Sequence, residues 1–404
     1  MFKASFFTTN RRKLSKRVDG GLIIISANGL LQRTGDSVYP FRQDSNFFYL
    51  TGLNEPDFLL VMNGDEEFLV LPKRSFAEDI FGGVINCDEV AKISGINTIL
   101  GNREGWQRIK EMQQSRKSVH TMTMPPRRVV HTDAFSTNPN RRYLTERLKR
   151  SSPATALVDL RPHLVSLRQV KQPEEITVMK EAIALTGRGL VTAKQQIRTG
   201  ITGHELKATL DSVFGAAGAE HGFTPIVTSS EQTAVMHSLT YGKQVGKNAA
   251  VLFDVGAELK NYTADITRTY VNGQASERFV AVYAAVDRVK RHAEKLVRPG
   301  LGWGEWARQV DQAMGEELIR LRLIKTNHRI EVRRYFSHAI GHSLGLDAHD
   351  VCNYMLPIEA GMIITIEPGI YIPEEGFGVR IEDDYLVTAS GVRNLSADIA
   401  YFSA

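Results

Sequence analysis

Phe253-Asp254-Val255-Gly256 and, beyond a polar turn at Lys260 and Asn261, Thr263-Ala264-Asp265-Ile266-Thr267 place two carboxylates eleven positions apart, each inside a strand-like run. A hairpin brings them together. Aspartate is disfavoured in strands, and two that face each other repel unless a cation lies between them. Taken alone, the pair reads equally well as two edge-strand aspartates pointing at solvent.

Three further segments alter that weighing. Ser337-His338-Ala339-Ile340-Gly341-His342-Ser343-Leu344-Gly345-Leu346-Asp347-Ala348-His349-Asp350 is dense in imidazoles and in glycines that let backbone and ligand approach closely. Thr365-Ile366-Glu367-Pro368-Gly369 puts a glutamate at the end of an apolar strand, just before a turn. Gly378-Val379-Arg380-Ile381-Glu382-Asp383-Asp384 carries Glu382 within another strand-like run. Singly, His338 or His349 reads as a satisfied core histidine and the 382–384 run as a solvated turn. Together, Asp254, Asp265, His342, Glu367 and Glu382 form an oxygen-rich set suited to hard or borderline divalent ions. Bridging carboxylates in such a set hold two ions about 3.5 to 4 Å apart, where they polarise a carbonyl and lower the pKa of bridging water.

Outward from this set, strand signals fall at 249–255, 267–271, 362–367 and 385–388, and helical periods at 279–296 and 303–323. The layout is α+β, with helices expected over one face of an antiparallel sheet. Upstream, Pro173 with Glu174 and Glu175 opens a long helix over 174–196. The part before about residue 165 reads as mixed α/β. It has strands at 21–27, 58–62 and 67–71, a turn at Asn63-Gly64-Asp65, and a proline-rich loop over 120–140. Thr8, Thr9 and Asn10 are suitable N-caps for a first helix.

With 404 residues the chain exceeds one ordinary core, so two domains are expected. No apolar run approaches the roughly 20 residues that span a bilayer, and the basic, phenylalanine-containing start lacks the apolar region of a signal peptide. Two cysteines, Cys87 and Cys352, exclude a disulfide framework and fit a reducing cytoplasm. The net charge of +5 is small for this length, and the basic residues between 103 and 171 are not interleaved with aromatics. Nucleic acid is therefore not an expected partner, nor is a membrane.

The ordered set of five resembles the methionine aminopeptidase and aminopeptidase P superfamily, the pita-bread metallopeptidases of family M24. Tyr39-Pro40-Phe41-Arg42-Gln43-Asp44-Ser45-Asn46-Phe47-Phe48-Tyr49-Leu50-Thr51-Gly52-Leu53-Asn54-Glu55-Pro56 is similar to the aminopeptidase P form of the creatinase-type N-terminal domain, which methionine aminopeptidases lack. Arg168-Gln169-Val170-Lys171-Gln172-Pro173-Glu174-Glu175-Ile176 resembles the family's entry into the catalytic domain. The resemblance implies an N-terminal mixed α/β creatinase-type domain over 1–168 and a C-terminal pita-bread catalytic domain over 169–404.

By the same resemblance, Asp254 chelates one of two divalent ions, Asp265 and Glu382 bridge both, and His342 and Glu367 complete the other. Manganese is expected first, with zinc, cobalt or iron as alternatives. Glu367 also handles the proton of the attacking water, His349 steadies the tetrahedral intermediate, and His237 in Val235-Met236-His237-Ser238 binds substrate. His338 and Arg380 match further site residues. The implied activity is release of the first residue from a peptide whose second residue is proline, by a homodimer or homotetramer in which Asp36 approaches the neighbouring site. Two positions depart from the pattern. Ile80 stands where aminopeptidase P often has a tryptophan that reaches a neighbouring subunit, and Cys352 replaces a glycine common after His-Asp-Val. The alternatives are a prolidase acting on Xaa-Pro dipeptides and a non-catalytic pita-bread binding module. The 120–140 stretch has no place on the family pattern.

Overall fold

The computed structural model of the chain describes residues 2–124 and 137–402. The chain divides into two units, Met1–Leu167 and Arg168–Ala404.

The first unit is built on strands β1 (Leu22–Ser26), β4 (Leu59–Asn63), β5 (Glu66–Val70), β6 (Ile99–Leu100), β7 (Ser118–Thr121) and β8 (Ala156–Asp159). They form one mixed sheet in the order β6-β5-β4-β1-β7-β8, while β2 (Gln32–Thr34) and β3 (Ser37–Val38) pair only with each other. Central β1 runs antiparallel to β4 and parallel to β7. Its Leu22 and Ile24 join a core with Ile109, Leu144 and Leu148, from the helices Asn102–Gln114 and Pro139–Ser151. Ile23 and Ile25, on the other face, are equally buried. Burial on both faces explains why the segment reads as an unbroken apolar run. The expected turn joins β4 to β5 through Gly64, which takes φ +66°.

Thr8, Thr9 and Asn10 do not cap the first helix. It runs over Ala4–Arg17, so all three lie inside it. The Thr8 and Thr9 hydroxyls donate back to the carbonyls of Ala4 and Ser5, and Asn10 is buried against the carbonyl of Tyr49. Phe6 and Phe7 pack edge-on against Tyr49 and Phe48, and this aromatic burial carries the helix towards the chain start. Of the expected 120–140 loop, His120 and Thr121 finish β7 and Pro139 opens a helix. Residues 125–136 lie outside those described.

The second unit twice runs from helices into antiparallel strands. Its strands are β9 (Glu220–His221), β10 (Ile226–Ser229), β11 (Ala250–Val255), β12 (Ala257–Leu259), β13 (Tyr262–Thr263) and β14 (Ile266–Val271). Later come β15 (Ile363–Ile366), β16 (Gly369–Ile372), β17 (Phe377–Arg380), β18 (Asp383–Val387) and β19 (Val392–Asn394). The helices Pro173–Gln195 and Gly203–Ala216 share a core with the first group through Ile183, Leu190, Phe214, Phe253 and Ile266. The helices Glu277–Leu296 and Trp303–Arg320 share another with the second group through Val286, Trp306, Met314, Ile364 and Tyr385.

Pairing in this unit is antiparallel, as expected, but the single sheet is divided. The described strands form four short sheets, β10-β11-β14, β13-β12-β9, β15-β18-β19 and β16-β17. At each division the chain leaves one sheet and enters the next within one or two residues: Gly256, Ala264-Asp265, Glu367-Pro368 and Ile381-Glu382. Gly256 is required there, since a Cβ would fall 1.7 Å from the carbonyl oxygen of Ala264. Pro368 has no N–H to continue a ladder.

Candidate metal centre

Three of the five candidate ligands, Asp265, Glu367 and Glu382, occupy these sheet divisions. A residue there is freed from strand alternation while the flanking ladders hold its backbone. Asp254 lies in β11, the middle strand of its sheet, paired with Thr267 of β14. It is therefore not on an edge. The hairpin between Asp254 and Asp265 closes through Lys260 and Asn261, both at positive φ (52° and 64°), as a two-residue turn matched to strand twist requires.

His342 reaches the site because its segment runs beside β15. The Thr365 N–H donates to the His342 carbonyl, and the His342 N–H donates to Thr365 Oγ1. The Glu367 N–H donates to the carbonyl of Ile340. Gly341 permits this approach, because a Cβ would meet the Thr365 carbonyl oxygen at 2.0 Å.

Among the described residues, Asp265, His342 and Glu382 bring one ligand atom each within 4.8 Å of one another. His342 Nδ1 lies 3.1 Å from the carbonyl oxygen of Ser343, which can only accept, so Nδ1 carries the proton. Its Nε2 lone pair then faces Asp265 Oδ2 at 3.6 Å and Glu367 Oε1 at 3.4 Å. Once those carboxyls are ionised, a lone pair aimed at them is repulsive without a cation between them. A ring N–H tied to a backbone carbonyl is also how ligating histidines are held.

The charges agree. Burial pushes the carboxyls of Asp265 and Glu382 well above their usual range, and neighbouring carboxylates add to the rise. Burial likewise raises Glu367 to about 8, against the pull of Arg380. Burial, with His349 nearby, lowers His342 to about 3 and keeps its ring neutral. Arg380 Nη2 donates to Asp254 Oδ2 at 2.5 Å, while buried Asp254 Oδ1 has no hydrogen-bond partner. This under-compensated oxygen set with one neutral imidazole fits divalent ions.

The remaining predicted residues gather around it. The His349 ring meets that of His342 edge-on with centroids 4.2 Å apart. His237, on an exposed loop after the turn Ser230–Ala234, is close enough to disfavour charge on both His338 and His349. His338 Nδ1 donates to the Ala339 carbonyl at 2.8 Å, so its Nε2 accepts from the Tyr371 hydroxyl at 2.9 Å. Arg380 is buried and hydrogen-bonded through all three nitrogens: besides Asp254, it donates from Nε to Thr267 Oγ1 and from Nη1 to the Tyr371 hydroxyl.

Tyr371 and Thr267 were not foreseen from the sequence. Each closely follows a candidate ligand, Thr267 two residues after Asp265 and Tyr371 four after Glu367. Closeness in sequence to a ligand is the signal that could have found them.

Comparison with known proteins agrees with this geometry. The model for metallopeptidase family M24 matches residues 177–389, and that for the aminopeptidase P N-terminal domain matches residues 7–120. The Xaa-Pro aminopeptidase of Escherichia coli (strain K12) is 30% identical over 425 residues, covering 97% of this chain and 94% of that protein. The structure of aminopeptidase P from E. coli with the inhibitor Pro-Leu is similar with a TM-score of 0.87 at 27% identity, covering 99% of this chain and 96% of that one. An Xaa-Pro dipeptidase of Pyrococcus furiosus is also 30% identical, but the match covers 63% of this chain and 70% of that protein. With the M24 model spanning more than half of the chain and a relative matched over nearly its whole length, the chain belongs to metallopeptidase family M24.

Proposed function

We propose that the protein is an Xaa-Pro aminopeptidase, hydrolysing the bond between the first residue of a peptide and a proline in second position. The observation that carries the reading is the His342 Nε2 lone pair facing the carboxylates of Asp265 and Glu367, in a pocket where Asp254 and Glu382 add two more. The near full-length likeness to the E. coli enzyme, against the partial match to the dipeptidase, favours this over the prolidase alternative. The binding-module alternative fits poorly with five intact ligand positions. We take 1–168 as the N-terminal domain and 169–404 as the catalytic one.

Asp254, Asp265, His342, Glu367 and Glu382 would hold two divalent ions, manganese first, which when bound would supply polarisation of the scissile carbonyl and a water of lowered pKa. Glu367 takes the proton of the attacking water and passes it to the proline nitrogen as the Xaa-Pro bond breaks. His349 and His237 offer N–H donors to the oxygen that gains charge, and they demand nothing from the substrate nitrogen. This matters because an Xaa-Pro amide has no N–H, and a site built to accept one is left with a buried unpaired group, at about 1 to 3 kcal/mol. Arg380 fixes Asp254, and His338 fixes Tyr371. The peptide amine is held by the acidic pocket, which limits cleavage to one residue from the end.

A peptide panel tests the reading. With manganese supplied, the protein is expected to cleave Xaa-Pro-Xaa tripeptides faster than Xaa-Pro dipeptides, and both faster than Xaa-Ala peptides. Faster dipeptide cleavage would transfer the protein to the prolidases. A preference for alanine would remove the proline specificity altogether.

The proposal includes a cytoplasmic setting, which two unpaired cysteines support, and a homo-oligomer. Among the described residues, no helix is long and apolar enough to cross a membrane. The oligomer is supported by an apolar patch in the first unit, where Phe76, Ile80, Phe81 and Val84 are all at least 63% exposed. Light scattering is expected to give a dimer or tetramer. An active monomer at assay concentration would exclude it.

A further inference from the structure

Arg333 is not among the candidate ligands, yet it grips the backbone that carries His338. It lies in the short helix Arg329–Tyr335, and its Nη2 donates to both carboxylate oxygens of Asp311, at 2.8 and 2.7 Å, on the helix Trp303–Arg320. Its Nη1 donates to the carbonyls of Phe336 at 3.3 Å and His338 at 2.5 Å. The guanidinium also lies 5.2 Å from the centre of the Phe336 ring, and Phe336 packs edge-on against the His338 imidazole at 5.0 Å.

The chain needs this grip. Beyond Tyr335 the helix ends, Ser337 and Ala339 are exposed, and residues 336–339 belong to no helix or strand. The carbonyls of Phe336 and His338 therefore have no ladder to join and take their donor from elsewhere. One planar cation supplies it on both sides of Ser337. From His338 the contacts continue inward, through the Tyr371 hydroxyl and Arg380 to Asp254.

The bland account is that the Asp311–Arg333 pair merely ties two helices together. Bidentate pairing with Asp311 would do that with Nη2 alone. It leaves unexplained why Nη1 reaches past the helix end to the carbonyl of His338.

We propose that Arg333 is a positioning residue for the reaction: anchored by Asp311, it holds His338 by its main-chain carbonyl and acts on turnover only through that histidine. The proposal rests on the reading that places His338 in the catalytic site. Lysine cannot reproduce a planar fork that serves a carboxylate, two carbonyls and an aromatic face together.

The test is a double-mutant cycle in the full-length, manganese-loaded protein with R333M, H338A and the double variant, and with R333K and D311N beside them. Rates on an Xaa-Pro tripeptide, bound metal and melting temperature are measured for each. R333M is expected to lose between about 10-fold and 100-fold in kcat/KM, as misplacement from a distance does, with metal content unchanged. R333K should recover only part of the loss, and the double variant should be no slower than H338A. If R333M does not fold, the milder D311N is read against H338A in the same way. Losses that multiply in the double variant would overturn the proposal alone. Wild-type kcat/KM in H338A would remove the underlying reading of His338, and the proposal with it.

Discussion

Glu382 and Asp383 are consecutive, both fully buried, and in opposite electrostatic surroundings. Asp383 accepts from Arg268 at 2.7 Å, Ser396 at 2.6 Å and Tyr401 at 2.6 Å, and pairs with Lys290 at 2.5 Å. Burial alone would raise its carboxyl, but Arg268 and Lys290 outweigh burial and hold it below the usual range. Glu382 receives one hydroxyl, from Thr267 at 2.6 Å, and otherwise faces Asp265, Glu367 and Asp254, whose charge Arg380 partly offsets. Asp383 opens β18 while Glu382 stands just outside it, at the sheet division, so neighbouring residues enter different environments. The difference teaches where protein cations suffice. On one side the charges close within the fold; on the other, four carboxylates against one guanidinium leave a deficit that divalent ions fill.

The largest effects should separate these two sides. Asp265→Asn and Glu382→Gln are expected to bring peptidase activity to background and to lower bound metal, because each would remove a charged ligand of the proposed metal site. Each also removes one charge from a mutually repelling cluster, so the chelator-treated variants should melt no lower than chelator-treated wild type. Near-normal turnover in either would take that residue out of the metal site. Asp383→Asn should do the reverse. It leaves Arg268 and Lys290 buried without their counter-ion, at a cost of about 3 to 5 kcal/mol in denaturant unfolding, whether or not metal is present. An unchanged stability would mean the two sides are not distinct.

How much of this was legible depended on the distance over which each interaction is written. The Asp254 and Asp265 hairpin was readable because Lys260 and Asn261 announce its turn locally. The ordered appearance of His342, Glu367 and Glu382 was readable because each sits in its own short motif. The division of one expected sheet into four was not, since the close approach of two backbones at Gly256, where a Cβ would strike the Ala264 carbonyl oxygen, exists only in three dimensions. Asp383 stood in plain view within Glu382-Asp383-Asp384, but its cations, Arg268 and Lys290, lie on a distant strand and helix. Sequence alone could not assign it to the structural side. The first helix was misjudged for a related reason: Thr8 and Thr9 are good caps by type, and the aromatic packing against Phe48 and Tyr49 that overrides them comes from another helix.

The smallest expected effect falls on Thr267, which stands on the border between the two sides. Its hydroxyl donates to Glu382 Oε2 at 2.6 Å and accepts from Arg380 Nε at 2.9 Å, while its carbonyl accepts from Arg268 Nη1 at 3.0 Å. Thr267→Val keeps the shape and the carbonyl and removes only the hydroxyl. The metal side then loses a donor to Glu382 and leaves an Arg380 N–H unpaired in a buried place, whereas the Arg268 contact survives. A buried unsatisfied group costs about 1 to 3 kcal/mol, so stability should fall by that order, less than for Asp383→Asn. Turnover should fall as well, since Glu382 is no longer held in one orientation, and Thr267→Ser should return most of both. If Thr267→Val instead matches wild type in bound metal, turnover and unfolding, the hydroxyl holds neither Glu382 nor Arg380, and the boundary between the two sides lies elsewhere.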